Sequence, residues 1–166
     1  AWTLRADLSA PEAPSDLARD LRRTLLERNG DGGLDILVNN AGVGLRALLA
    51  DVTPQDFDRV LQVNLKSPFF LIQHCLPFLR DNGRIINISS VNGQKGQFGQ
   101  VNYSTAKAGL HGFTMALAQE VASKGVTVNT VSPGYIGTDM VRAIRPDVLD
   151  KIVATVPARR LGAPEE

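Results

Sequence analysis

Cysteine is almost absent from this chain. Cys75 stands alone among 166 residues, so no intrachain disulfide can form, and a sulfur-stapled scaffold is excluded. A reducing, cytoplasmic setting is the expectation. Long apolar runs are also missing: none approaches the roughly 20 residues that a membrane span needs. There is no excess of charge of one sign. Eighteen basic residues face 17 acidic ones, for a net charge of +1, so no global field points to nucleic acid or an acidic membrane surface. His74 and His111 are the two histidines, and neither stands at metal-ligand spacing with Cys75 or a carboxylate. No metal is expected. The start, WTLRADL, has neither an initiator methionine nor a signal-peptide pattern and reads like the middle of a fold. A fragment of a longer chain is therefore expected.

What is present is ordinary globular material, with 43% hydrophobic and 21% charged residues, enough for one domain with a core. Short apolar runs alternate with helical patterns. Trp2–Asp7 alternates as a strand would. Ser15 can cap a helix to about Arg28, with Leu17, Leu21, Leu25 and Leu26 at helical spacing. Leu34–Asn39 is nearly continuous apolar sequence, as in a buried parallel strand. Thr53 and Pro54 read as the cap and first residue of a helix with Phe57, Val60, Leu61 and Leu65 inward. That helix should kink at Pro68, continue through Phe78 and stop by Gly83. Arg84–Ser89 and Val126–Ser132 read as strands around a helix over Asn102–Lys124. Short helical patterns follow at Met140–Arg145 and Asp147–Thr155. Strands alternating with helices predict an α/β fold, a parallel sheet with helices on both faces.

The chemistry concentrates between Ser90 and Lys107. Tyr103 and Lys107 are four apart, so on a helix they share one face. A phenol near pKa 10 is a poor acid at neutral pH, and a neighbouring ammonium should lower that value. Tyr103 could then protonate a developing alkoxide. Ser90, at the tip of a strand, could hold the same oxygen, and strand tips are where open α/β sheets bind ligands. Asn64 lies among apolar residues and needs partners, either in a relay toward Lys107 or at carbonyls freed by Pro68. The turn Asn39-Asn40-Ala41-Gly42 lets a flat ligand approach the backbone, or is simply a tight turn. Asp7-Leu8 offers a carboxylate that could accept an adenine amino group, or a plain cap. Lys95 is read as a solvated loop residue.

Together the NNAG turn, Asn64, Ser90, the Tyr103/Lys107 pair and the Pro133-Gly134 turn resemble the short-chain dehydrogenase/reductase family, in its order and spacing and over essentially the whole chain. The resemblance implies a Rossmann-like, doubly wound sheet and hydride transfer with a nicotinamide cofactor. Tyr103, Lys107, Ser90 and Asn64 would be catalytic. Asp7, Leu8, Asn39, Asn40, Ala41, Gly42, Tyr103, Lys107, Pro133, Gly134, Ile136 and Thr138 would contact the cofactor. Val91 onward is most similar to the branch that reduces 3-ketoacyl thioesters, acetoacetyl-CoA and 3-oxoacyl carrier-protein substrates, in polyhydroxybutyrate and fatty acid synthesis. That similarity implies NADPH, with NADH not excluded, and places Ser90, Gln97, Phe98, Gln100, Tyr103 and Tyr135 at the substrate. Other carbonyl substrates, or an inactive fragment or binding module, are the alternatives. A homotetramer or homodimer is implied for the intact protein.

The family's Gly-rich T-G-x-x-x-G-x-G turn does not occur in this sequence. In the family's strand order, 3-2-1-4-5-6-7, residues 1–166 would supply strands 3 to 6 of one partial domain. The strands between the third and fourth would be lacking. Trp2–Asp7 is therefore expected to be detached from Leu34–Asn39, with apolar edges exposed.

Overall fold

The structure, a computed structural model, describes residues 1–166 apart from the side chain of Met140. The chain divides into two compact units, Ala1–Ser132 and Pro133–Glu166.

The first unit is built on a three-stranded parallel sheet of β1 (Leu34–Asn39), β2 (Leu79–Ile88) and β3 (Thr127–Val131), in that spatial order. Helices α1 (Ala13–Asn29), α2 (Pro54–Leu61), α3 (Ser67–Cys75), α4 (Asn92–Lys95) and α5 (Val101–Val121) connect the strands. One core cluster joins them: Ala18 of α1, Leu71, Ile72 and Cys75 of α3, Leu117 and Val121 of α5, and Leu37, Ile85 and Val128 of the sheet. These strand residues point to one face. Their alternates Ile36 and Val38 point away and are 56% and 51% exposed. Helices α1, α3 and α5 thus share the Leu37–Ile85–Val128 face.

Trp2–Asp7 pairs with no strand, so three strands form where four were expected. Its alternation is real, but a strand exists only through a neighbour's hydrogen bonds, and nothing lies alongside it. The expected separation from β1 holds. A backbone link survives at its end, where Ser67 Oγ donates to the Leu8 carbonyl (2.8 Å).

Helix α1 begins at Ala13 rather than Ser15. Glu12 precedes it, Pro14 occupies the first turn, and the Ser15 hydroxyl donates back to the Glu12 carbonyl. It ends at Gly30, whose φ of 80° is the left-handed conformation that glycine adopts freely. Thr53 caps α2 as expected, its Oγ1 accepting from the Asp56 N–H at 3.1 Å. Phe57 was expected inward but is exposed, whereas Val60 is buried.

The single helix expected from Thr53 to Phe78 is interrupted. Gln62–Lys66 forms a π-helical turn, and the Ser67 N–H reaches back five residues to the Gln62 carbonyl. Pro68 has no N–H to continue the ordinary ladder, so the turn before it widens. The helix ends at Cys75, followed by a 3-10 turn over Leu76–Phe78 containing Pro77. Strand β2 begins five residues earlier than Arg84, with an irregular register between Leu34 and Ile36 on its partner. Gly83 therefore sits inside a strand rather than ending a helix.

The register aligns Asn39 with Asn87, and Asn87 with Thr130. Those polar side chains meet in the interior. Asn39 Nδ2 donates to Asn87 Oδ1 (2.9 Å), Asn87 Nδ2 to Thr114 Oγ1 (3.0 Å), and the Thr130 hydroxyl to the same Thr114 oxygen (2.7 Å). The chain of bonds ties all three strands to α5.

The second unit holds α6 (Asp139–Arg142) and α7 (Pro146–Thr155). An isolated parallel bridge joins Ile136 to Gly162. No helix among the described residues is long and apolar enough to cross a membrane.

Candidate active site

Strand β2 ends at Ile88 and delivers Ser89 and Ser90 beyond its tip. Ser89 points inward, and its hydroxyl donates to the Lys107 carbonyl (2.8 Å). Ser90 Oγ accepts the Asn92 N–H (3.1 Å), which closes the turn into α4. The tight approach of this turn to α5 depends on Gly93. A Cβ there would lie 2.7 Å from the Lys107 carbonyl carbon and 2.9 Å from the Ala108 nitrogen.

Helix α5 then carries Tyr103 and Lys107 on one face, as their spacing predicts. Tyr103 is half-buried, and the Ser90 side chain beside it favours its phenolate. The two groups that sequence reasoning placed on one oxygen are thus neighbours. Lys107 is only 3% exposed. Its Nζ donates to the Ile88 carbonyl (2.7 Å) and lies 5.7 Å from the centre of the Tyr103 ring.

The electrostatics differ from the expectation in one respect. Burial pushes the Tyr103 phenol above its ordinary value of 10.0, and the Ser90 hydrogen bond only partly offsets this. Lys107 does not pull it below that value, because burial also weakens the lysine's hold on its own proton. The Lys107 pKa falls from 10.5 to about 8.

Asn64, 1% exposed, sits in the π-helical turn. Its Nδ2 donates to the carbonyls of Val60 and Val43, both at 2.8 Å. Its nitrogen thus holds one carbonyl of its own helix and one in the turn after β1. Its Oδ1 is buried without a partner among the described residues. A Cβ added at Gly42 would lie 2.8 Å from that oxygen and 3.6 Å from Lys107 Nζ. Gly42 thus brings the β1 turn, Asn64 and Lys107 together. Asn40, Ala41 and Gly42 are exposed at the strand tip, while Asn39 turns inward to Asn87.

Asp7 is exposed and accepts from the Ser9 N–H and hydroxyl, which hold its carboxyl below the usual range. Among the expected substrate residues, Gln97 is half-buried and Phe98 is 87% exposed. Gln100 Oε1 accepts from Asn92 Nδ2 (2.8 Å). Pro133, Gly134, Tyr135, Ile136 and Thr138 belong to the second unit. There the Tyr135 carbonyl accepts the Gly162 N–H, and the Thr138 N–H donates to the Ile136 carbonyl. His111 Nε2 meets Ser132 Oγ at 3.1 Å, while His74 is exposed. No metal-binding cluster occurs among the described residues.

Sequence reasoning missed Asn87 and Asn92. Asn87 had a signal, a polar residue within the apolar run Arg84–Ser89 that must find partners once buried. Asn92 had none beyond its place after Ser90.

The short chain dehydrogenase family model matches residues 1–149. The chain is 66% identical over 137 residues to the acetoacetyl-CoA reductase of Cupriavidus necator, covering 81% of this chain and 56% of that protein. It is 47% identical over 163 residues to the acetoacetyl-CoA reductase of Allochromatium vinosum, covering 97% and 64%. A solved angucycline C-6 ketoreductase with bound NADP superposes with a TM-score of 0.91 at 36% identity, covering 99% of this chain and 64% of that one. The chain thus spans less than two thirds of these relatives. Its match over residues 1–149, together with these identities, establishes that it belongs to the short-chain dehydrogenase family.

Proposed function

We propose that the protein containing this chain reduces a 3-ketoacyl thioester with NADPH, giving the (3R)-hydroxyacyl product. The observation that carries the reading is Ser90 just beyond the tip of β2 together with Tyr103 and the buried Lys107 on one face of α5, Lys107 Nζ lying 5.7 Å from the centre of the Tyr103 ring. The likeness to two acetoacetyl-CoA reductases supports the substrate class.

The residues present fit the nicotinamide end of the cofactor. Gly42 has no side chain where Asn64 Oδ1 and Lys107 Nζ converge, and the ammonium retains donors beyond the one given to Ile88. Asn39 to Gly42, Tyr103 and Lys107 would hold that end; Pro133, Gly134, Ile136 and Thr138 are proposed as further cofactor contacts. The ionised, Ser9-bound carboxylate of Asp7, with the Leu8 backbone anchored by Ser67, would accept from adenine. The nicotinamide supplies the hydride when bound. Tyr103, kept protonated by its buried setting, gives its proton to the more basic developing alkoxide. Ser90 donates to the same oxygen and fixes the carbonyl. Lys107 would orient Tyr103, and a water held by Asn64 Oδ1 would pass a proton through Lys107 Nζ back to the phenol.

Gln97, Phe98 and Tyr135 remain proposed acyl contacts, while Gln100 acts through Asn92. The exposed aromatic residues Phe69 and Phe70 of α3 and Met115 of α5 support a homodimer or homotetramer. A cytoplasmic setting is part of the same proposal, in keeping with a single cysteine. A second reading, reduction of a larger polycyclic ketone, is favoured by the 0.91 superposition on the angucycline ketoreductase.

The test is acetoacetyl-CoA-dependent oxidation of NADPH, and of NADH for comparison, by the intact protein. Tyr103→Phe is expected to lower kcat by about 100- to 10,000-fold, the range of general acid catalysis. Full activity in that variant removes the proton-donor role, and turnover of polycyclic ketones alone favours the second reading.

A further inference from the structure

The loop between Ser90 and α5 changes direction at two glycines. Gly96 and Gly99 both stand at a φ of 72°, and Phe98 between them is 87% exposed. Its backbone is tied outward where the Ala47 N–H donates to the Gly99 carbonyl (3.0 Å). A side-chain bond runs across the base of the loop. Asn92 is 9% exposed, and its Nδ2 donates to Gln100 Oε1 at 2.8 Å.

Each end of that bond belongs to one half of the candidate active site. Asn92 gives its N–H to Ser90 Oγ, so its position sets where the serine hydroxyl points. Gln100 is the last residue before α5, three before Tyr103, and its carbonyl accepts the Ser104 N–H (2.9 Å) that starts the helix. Ser90 and Tyr103 lie on different elements, and their hydroxyls meet only while the strand tip and the helix start keep their spacing.

The geometry points to Asn92 as a positioning residue that, through Gln100, clamps the Ser90 turn to the first turn of α5 and so keeps the Ser90 and Tyr103 hydroxyls on one oxygen. This rests on the roles proposed above for Ser90 and Tyr103. It also reassigns Gln100: the side chain is the far end of the clamp rather than a substrate contact. Two amides suit the task because one donates while the other accepts, without placing a charge near the phenol.

The experiment compares Asn92→Ala, Gln100→Ala, the double alanine variant, and the exchanged pair Asn92→Gln/Gln100→Asn. The exchanged pair keeps an amide at each end and the same total length. Two readouts are taken on the intact protein. The first is the ultraviolet tyrosinate titration, with the Tyr103→Phe protein subtracted to isolate Tyr103, which needs no substrate. The second is kcat and KM for acetoacetyl-CoA and NADPH.

Each single alanine variant is expected to move the Tyr103 midpoint upward, because the Ser90 hydrogen bond that favours the phenolate is weakened. Each should lower kcat by about threefold to tenfold, the scale of one hydrogen bond, with the KM for NADPH unchanged. The double variant should be no worse than either single one, and the exchanged pair should recover part of the loss. An unmoved Tyr103 midpoint in a folded Asn92→Ala protein overturns the clamp, as do additive losses. If Asn92→Ala does not fold, Gln100→Ala decides by the same readouts. If Tyr103→Phe keeps full turnover, the proposed function fails on its own, and the titration still decides the clamp.

Discussion

Lys107 keeps an ammonium where only 3% of the residue is exposed, and burial brings its pKa from 10.5 to about 8. The sign of the effect on stability follows from proton counting. Below about pH 8 the folded and unfolded chains both carry the charge, and the folded chain carries it in the poorer medium. Between about 8 and 10.5 the unfolded chain holds a proton that the folded chain has released, so stability rises with pH across that window. Denaturant midpoints of the native protein should rise from pH 8 to 10.5 relative to those of Lys107→Met; parallel curves for the two proteins would rule this out. Tyr103 and Lys107 were legible in the sequence because their spacing alone puts them on one helical face, and Ser90 because it ends an apolar run. The direction of the tyrosine's shift was not legible, since it depends on how deeply the phenol is buried. Nor was Asn92, whose partner Gln100 is brought to it only by the path of the loop.

The segment from Thr53 to Cys75 shows what a proline does when the side chains around it can adapt. Pro68 withholds an N–H, the backbone widens into the turn Gln62–Lys66, and Asn64 Nδ2 supplies the Val60 carbonyl with a donor. The same nitrogen holds the Val43 carbonyl in the turn after β1. Asn64→Leu leaves both carbonyls without that donor, so a loss of about 2–3 kcal/mol is expected. Hydrogen exchange should accelerate around Val43 and Gly44. A variant with native stability and native exchange would show that Asn64 has no structural share. The cap at Thr53 and the irregularity at Pro68 were readable, because each is a property of one residue and its immediate neighbours. The π-helical turn was not, because the choice among kink, break and widening is made by whichever side chain reaches the freed carbonyl.

Across the whole molecule, β1 is an edge strand whose Ile36 and Val38 are more than half exposed. An apolar strand edge is a template for pairing with another chain. Residues 1–166 expressed alone should therefore self-associate, and the double variant Ile36→Thr/Val38→Thr should lower light scattering at equal concentration without loss of helical circular dichroism. Unchanged scattering would show that β1 does not drive association. The parallel α/β class and three strands were readable because a buried parallel strand declares itself by continuous apolar sequence. Trp2–Asp7 misled because alternation records only how a strand could face, not whether a partner is beside it. One further consequence lies in how β2 grips α5. Ile88 holds the amine of Lys107, and the next residue, Ser89, holds its carbonyl. Sliding α5 by one turn, about 5.4 Å, would break both bonds together. The helix and the sheet are therefore locked as one frame at Lys107, its backbone and its side chain held by consecutive residues of one strand end.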